Sequence, residues 1–363
     1  MIPSRLIPCL AVICIASNLH SAEMIDLSEQ LAPVLQGSPV PCIGAAVIVN
    51  GQIIGYGAAG VRKQGDPTPV TRDDPFHIGS CGKAMTATLI GMLVDDGKLR
   101  WDMPLKEALR GTKIHPELQT VTLRQLADHE GGLPHETPKS LMIAAYASSE
   151  SEEKARAATV ASILKEKPSP VGQFQYSNLG YATLGAIAEK VTGKTFADLM
   201  QERIFKPLGM SSAGFGAPGT AGKVDAPWGH RTSPVPPGPR ADNPPAFSPA
   251  GRMHFSMLDW AKFIQFQLTG QPAGLIQAPT LSALHTVAHP GTTYSCGWGH
   301  TQRKWARGEA LSHAGSNTMW FCIAWLAPKT QSAVIIACND GNQAEAAKTC
   351  DTAAAMLIKK YLQ

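Results

Sequence analysis

The chain has 363 residues, of which 44% are hydrophobic and 17% charged. That is enough apolar content for a large core, which excludes a disordered or fibrous chain. With a formal net charge of +4 and no Lys/Arg run longer than two residues, nucleic acid is not an expected partner. One compact domain with an inserted lobe fits the length as well as two domains do.

Residues 1–22 read as a secretory signal: Arg5 supplies the positive start, Leu6 to Ser17 the apolar stretch, and Ser21-Ala22 a small-residue cleavage region. Leu6 to Ser17 is too short to span a bilayer, and no later stretch approaches eighteen apolar residues. An uncleaved anchor or a buried first helix is the competing reading. The mature chain, residues 23–363, is therefore expected to be periplasmic or secreted, monomeric, and without stable membrane insertion.

Ile25 to Leu35 then reads as a short helix. Ile43 to Val49 and Ile53 to Ala58 are strand-like and joined by Asn50-Gly51, a strong hairpin signal. Met85, Leu89, Ile90, Met92 and Leu93 have helical spacing up to a stop at Gly97. Helical patterns follow at 122–129, 140–147, 152–166, 179–192, 195–204 and 257–268. Residues 216–250 are rich in Pro and Gly and predict a long surface loop, either a rim of the substrate cleft or a passive connection. Strands at Met319–Ala327 and Ala333–Cys338 and a helix at Glu345–Tyr361 close the chain. This order predicts an α/β (α+β) fold. An antiparallel sheet is flanked by N- and C-terminal helices, built from about 23–103 and 285–363, with a mostly helical lobe inserted at about 104–284. The active site is expected at the seam between these parts.

Three short strings carry the chemistry. Ser80-Cys81-Gly82-Lys83 places a hydroxyl and an amine on one face at the head of a helix. A lysine held there with little water can lose its proton near neutral pH and accept the one on the serine. Tyr176-Ser177-Asn178 stands before a helical stretch, and His313-Ala314-Gly315 opens a strand-like run. For Tyr176 and Asn178 taken alone, helix entry and capping is the competing reading.

In that order the strings resemble the penicillin-recognising serine hydrolases, in the branch of class C β-lactamases, D-Ala-D-Ala carboxypeptidases and related esterases. Phe76 to Ser80, Leu126 to Pro134, Phe174 to Gly193, Ile204 to Met210 and Ser248 to Gly251 extend the resemblance to most of the chain. It implies a serine hydrolase that cleaves amide or ester bonds of a small molecule or cell-wall peptide through an acyl-enzyme on Ser80. Lys83 and Tyr176 are the implied proton carriers, with either one as the base. Asn178, His313, Gly315 and Ser316 are the implied substrate-binding residues, and the backbone N–H groups of Ser80 and Ser316 the oxyanion donors. His313 stands where class C β-lactamases usually carry lysine. A group only partly charged near neutral pH is expected to weaken recognition of the carboxylate on penicillins and D-Ala-D-Ala termini. A non-catalytic protein that binds penicillin or cell-wall peptides is the alternative.

Other motifs fail on residues. A nucleophile elbow needs glycine where Ile78 stands, a phosphate loop needs glycine at His77 and Ser or Thr at Ala84. His129 and His135 are six apart with Gly131, Gly132 and Pro134 between them, wrong for a zinc helix. We expect no metal and no cofactor, and a turn around His129 that supports the site. Of eight cysteines, Cys9 and Cys14 leave with the signal. Cys322 and Cys338 would face each other across a three-residue loop and form a bridge. A two- or four-residue loop would offset them by one and leave small buried hydrophobes. Cys81 is read as packing.

Overall fold

The computed structural model describes residues 24–363, so the signal reading of 1–22 lies outside the described residues. The strands Ile25–Asp26, Gln52–Gly60, Cys42–Val49, Ser332–Cys338, Phe321–Ala327, Gly308–Ser316, Trp298–Arg303 and Tyr294–Ser295 lie side by side in that order in one eight-stranded sheet. Its pairings are antiparallel except the first, where Ile25 and Asp26 run parallel to Gly55 and Tyr56. Asn50 and Gly51 turn the first hairpin with φ of 50° and 74°, as a two-residue turn that matches strand twist requires. A three-stranded sheet of Pro75–His77, Met253–Ser256 and Gly214–Phe215 holds the segment leading into Ser80.

Both faces of the large sheet are covered, so its central strands are apolar throughout rather than alternating. In the strand Cys42–Val49, Cys42, Ala46 and Ile48 join one core with the helices Lys83–Asp95 and Met257–Thr269. Ile43, Ala45 and Val47 face the other way, toward the C-terminal helix Gln343–Tyr361 and Leu27 and Leu31. Residues 105–284 contribute most of the helices, including Glu152–Ile163 and Asn178–Thr192, which pack on one another. Among the described residues no helix is long and apolar enough to cross a membrane.

Local chemistry explains where elements differ from the sequence expectations. The helix expected over Ile25–Leu35 is a two-residue strand, a single turn Ser28–Leu31 and a 3-10 turn Ala32–Leu35. Asp26 Oδ1 accepts from the Ser28 N–H at the break, and Pro33 has no N–H to extend a helix. The strand expected from Met319 starts at Phe321, because Asn317 Oδ1 takes the N–H groups of both Met319 and Trp320. Ala327 pairs with Ser332, which leaves a four-residue loop. Cys322 therefore faces Ala337 while Cys338 faces Phe321, and the two thiols point into opposite cores. All six cysteines of the described residues are free and buried.

Candidate active site

Ser80 lies in the 3-10 turn Gly79–Gly82, which runs directly into the helix Lys83–Asp95. Two glycines shape this turn. Gly79 has φ +46°, and a Cβ on it would lie 2.5 Å from the Ser316 amide nitrogen. Gly251 has φ +149°, and its Cβ would lie 2.7 Å from the Gly79 carbonyl and 3.0 Å from the Ser80 nitrogen. Side chains at either position would push the nucleophile turn away from the strand end that carries Ser316.

Lys83 is fully buried. Its Nζ lies 3.0 Å from Ser80 Oγ and donates to Asn178 Oδ1 at 2.7 Å and to the Ala250 carbonyl at 2.6 Å. Burial lowers its pKa from 10.5 to about 7. Asn178 is the first residue of the helix Asn178–Thr192 and caps nothing; its amide faces the lysine instead. Tyr176 stands just before that helix, with its ring centroid 4.8 Å from Lys83 Nζ. Burial, partly opposed by the Ser80 hydroxyl beside it, pushes its pKa well above the ordinary phenol value, so the phenol keeps its proton.

His313 comes from the strand Gly308–Ser316 and packs 6.3 Å from the Tyr176 ring, with Nε2 3.2 Å from Tyr294 Oη. Burial, with a smaller contribution from Lys83, lowers its pKa to about 3. The expected partly charged histidine is thus corrected: the imidazole is neutral throughout the working range, because the desolvation of its cation outweighs the one opposing contribution, a backbone hydrogen bond at Ala314. Gly315, two residues on, allows close approach. A Cβ there would lie 2.2 Å from the Ile78 carbonyl, 2.9 Å from the Cys81 nitrogen and 2.9 Å from Cys322 Sγ. Ser316 Oγ accepts from the Thr318 N–H at 2.9 Å. All seven residues singled out in the sequence, Ser80, Lys83, Tyr176, Asn178, His313, Gly315 and Ser316, fall in this one neighbourhood.

The structure adds residues that the motifs did not reveal. The Ala250 carbonyl is a second acceptor for Lys83. His129, in a left-handed turn at φ 62°, accepts from the Ser177 N–H at 3.1 Å and stacks 4.3 Å from Tyr176. Tyr294, on the sheet edge, packs between His129 and His313. Cys81 Sγ donates to the His313 carbonyl and touches Cys322 Sγ at 3.5 Å. From the Pro-rich segment, Asp242 is buried 3.0 Å from His77 Nε2 and accepts from Asn317 Nδ2 at 3.1 Å. Part of the 216–250 segment is therefore packed beside the cleft rather than passing over the surface. The signal for Tyr294 and Asp242 was absent because their partners are distant in sequence.

Substituting Gly315→Ala should drive the strand off the nucleophile turn. Overpacking of this kind costs about 1–3 kcal/mol, and misplacement by an ångström costs on the order of 100-fold in rate. The expected result is a lower Tm together with a kcat reduced far more than KM changes, read by thermal denaturation and steady-state kinetics.

Comparison with known proteins identifies the family and the fold. The family described as Beta-lactamase matches residues 29–357. The chain belongs to the β-lactamase family. A "Penicillin-binding protein 4" of Amycolatopsis lactamdurans is 26% identical over 83% of this chain and 81% of its own length. A "Beta-lactamase" of Pseudomonas fluorescens is 28% identical over 53% of this chain and 51% of its own length. An "Unguisins hydrolase" of Aspergillus campestris is 29% identical over 52% of this chain and 35% of its own. Among solved structures, the octameric penicillin-binding protein homologue from Pyrococcus abyssi superposes with a TM-score of 0.71 at 22% identity, covering 91% of this chain and 77% of that one. SurE superposes with a TM-score of 0.73 at 22% identity, covering 91% of this chain and 74% of that one. The expected α/β fold is confirmed, and the family includes hydrolases.

Proposed function

We propose that this β-lactamase-family protein is a serine hydrolase that cleaves an amide or ester bond through an acyl-enzyme on Ser80. One observation carries the reading. A neutral amine has two N–H groups and one lone pair; the Asn178 and Ala250 oxygens take the two N–H groups of Lys83, and Ser80 Oγ lies at the third position. With a pKa of about 7, that lone pair is available near neutral pH. Lys83 is then the base and Tyr176, which holds its proton, is the acid.

The proton of Ser80 passes to Lys83 as Oγ attacks the substrate carbonyl carbon. Charge on the carbonyl oxygen is met by the amides of Ser80 and Ser316, kept close by Gly79 and Gly251. Tyr176 protonates the departing nitrogen or oxygen and recovers a proton from Lys83. Water then attacks the acyl carbon, the same two groups acting in reverse, and releases the acid with Ser80 restored. Residues 1–22 support a periplasmic or secreted location for this activity.

The test is incubation with a fluorescent penicillin, a chromogenic cephalosporin and a short-chain aryl ester, followed by intact mass measurement. Turnover of one of them, with a transient acyl adduct mapping to Ser80, is the expected result. A stable adduct with no turnover would instead support the non-catalytic binder, and neither adduct nor turnover would overturn the hydrolase.

A further inference from the structure

Beside Ser316 stands a permanent positive charge, Arg231, that neither the motifs nor the mechanism uses. Arg231 projects from a backbone that is fixed on both sides. The His230 N–H donates to the Met319 carbonyl at 3.0 Å, and the His230 carbonyl accepts from the Gly341 N–H at 2.8 Å. The His230 ring is buried, with Nδ1 2.7 Å from the Asn339 carbonyl and Nε2 accepting from the Gln64 N–H at 3.0 Å. Gly229 lies so close to Trp320 and Met319 that a Cβ would come within 2.5 Å and 2.8 Å of them. From this base the exposed Arg231 donates from Nη2 to Thr318 Oγ1 at 2.6 Å. Thr318 is held with φ 73° and donates its own N–H to Ser316 Oγ. The guanidinium is thus linked through one residue to Ser316.

Electrostatics mark it further. Arg252, nearby, is neutralised between Asp242 at 3.3 Å and Glu152 at 3.0 Å. Arg231 makes no ion pair among the described residues. The groups around Ser80 carry no lasting charge: His313 and Tyr176 are neutral and Lys83 is about half protonated near pH 7. Arg231 also acts on the phenol of Tyr146, which burial and Asp242 raise and Arg231 and Arg252 lower. Tyr146 Oη donates to the Asp242 carbonyl at 3.0 Å, and Asp242 also accepts from Asn317, the residue before Thr318.

Position along the cleft says which portion of a substrate meets this charge. The strand Gly308–Ser316 passes Ser80 from His313 to Ser316. Tyr176 and Tyr294 gather at the His313 end, and the leaving group must lie there because Tyr176 protonates it. Arg231, bonded to Thr318, sits beyond Ser316 at the other end, and an acyl portion running away from the leaving group heads toward it.

We propose that Arg231 is an anion anchor, and that the substrates of this site are amides or esters whose acyl portion carries a carboxylate at its far end. The inference rests on the hydrolase reading. A guanidinium presents paired N–H donors to a carboxylate, and Thr318 Oγ holds it oriented while leaving other donors free.

The test compares two 4-nitrophenyl esters of matched chain length, the hexanoate and the mono-adipate. The unsubstituted protein is expected to prefer the adipate in kcat/KM at low salt, with the preference shrinking as ionic strength rises. Arg231→Gln should lower the adipate-to-hexanoate ratio by about 10- to 100-fold, the range of a charged hydrogen bond, and Arg231→Lys should restore part of it. A purely structural role would depress both esters together and leave the ratio unchanged, which overturns the proposal, as does a parent protein with no adipate preference. If neither ester is turned over and no acyl adduct forms on Ser80, the hydrolase reading itself is what fails.

Discussion

Ser80→Ala is expected to lower kcat/KM on any ester or amide the protein hydrolyses by about 10,000-fold or more, the scale seen when an acylating nucleophile is removed from a preorganised site. The substitution deletes a single oxygen. Lys83 retains its bonds to Asn178 and Ala250, and the turn is still held by Gly79 against Ser316 and Gly251. Stability should therefore change by no more than about 1 kcal/mol, so lost rate reports lost chemistry. Steady-state kinetics with intact mass measurement checks both halves: no turnover, and no acyl adduct on a folded protein with an unchanged melting curve. Retained turnover would mean that another group attacks the carbonyl, and the role given to Lys83 would fall with it.

What could be read from the sequence was local. Asn50-Gly51 announced the first hairpin because a tight turn depends on two residues and their φ angles. Ser80 and Lys83 announced each other because one helical turn sets their distance. Tyr176-Ser177-Asn178 and His313-Ala314-Gly315 could be joined to them only through the family resemblance, since strings far apart in the chain carry no geometry of their own. The third partner of Lys83 is a backbone carbonyl, Ala250 O, which no side-chain pattern displays. The charge state of His313 was misjudged for a related reason: residue type suggests partial protonation, whereas Tyr176, Tyr294 and Lys83 packed around it decide otherwise. The Cys322–Cys338 bridge turned on one loop residue, because a strand alternates faces at every step.

Lys83→Met is expected to be nearly as damaging to activity as loss of the nucleophile, and it has a second, opposite signature in stability. In the folded protein the Lys83 pKa falls from 10.5 to about 7 through burial. The unfolded chain keeps the ordinary value, so between about pH 7 and 10.5 it binds more protons at this residue than the folded protein does. Stability contributed by Lys83 must then rise with pH across that window and fall toward pH 7. Methionine fills similar volume and has no such dependence. Its deficit is the loss of bonds to Asn178 and Ala250, about 1–3 kcal/mol for each acceptor left unpaired. The stability difference between Lys83→Met and the parent should accordingly shift in favour of the variant as pH is lowered from about 10 to 7, measured by denaturant titration at each pH. Activity of the parent should rise with pH through an apparent pKa near 7, as the amine becomes neutral, and the variant should show no residual limb of that kind. A parent whose rate is flat from pH 5 to 9 would contradict a lysine base. A stability difference that does not move with pH would contradict the buried, easily deprotonated lysine on which that base depends.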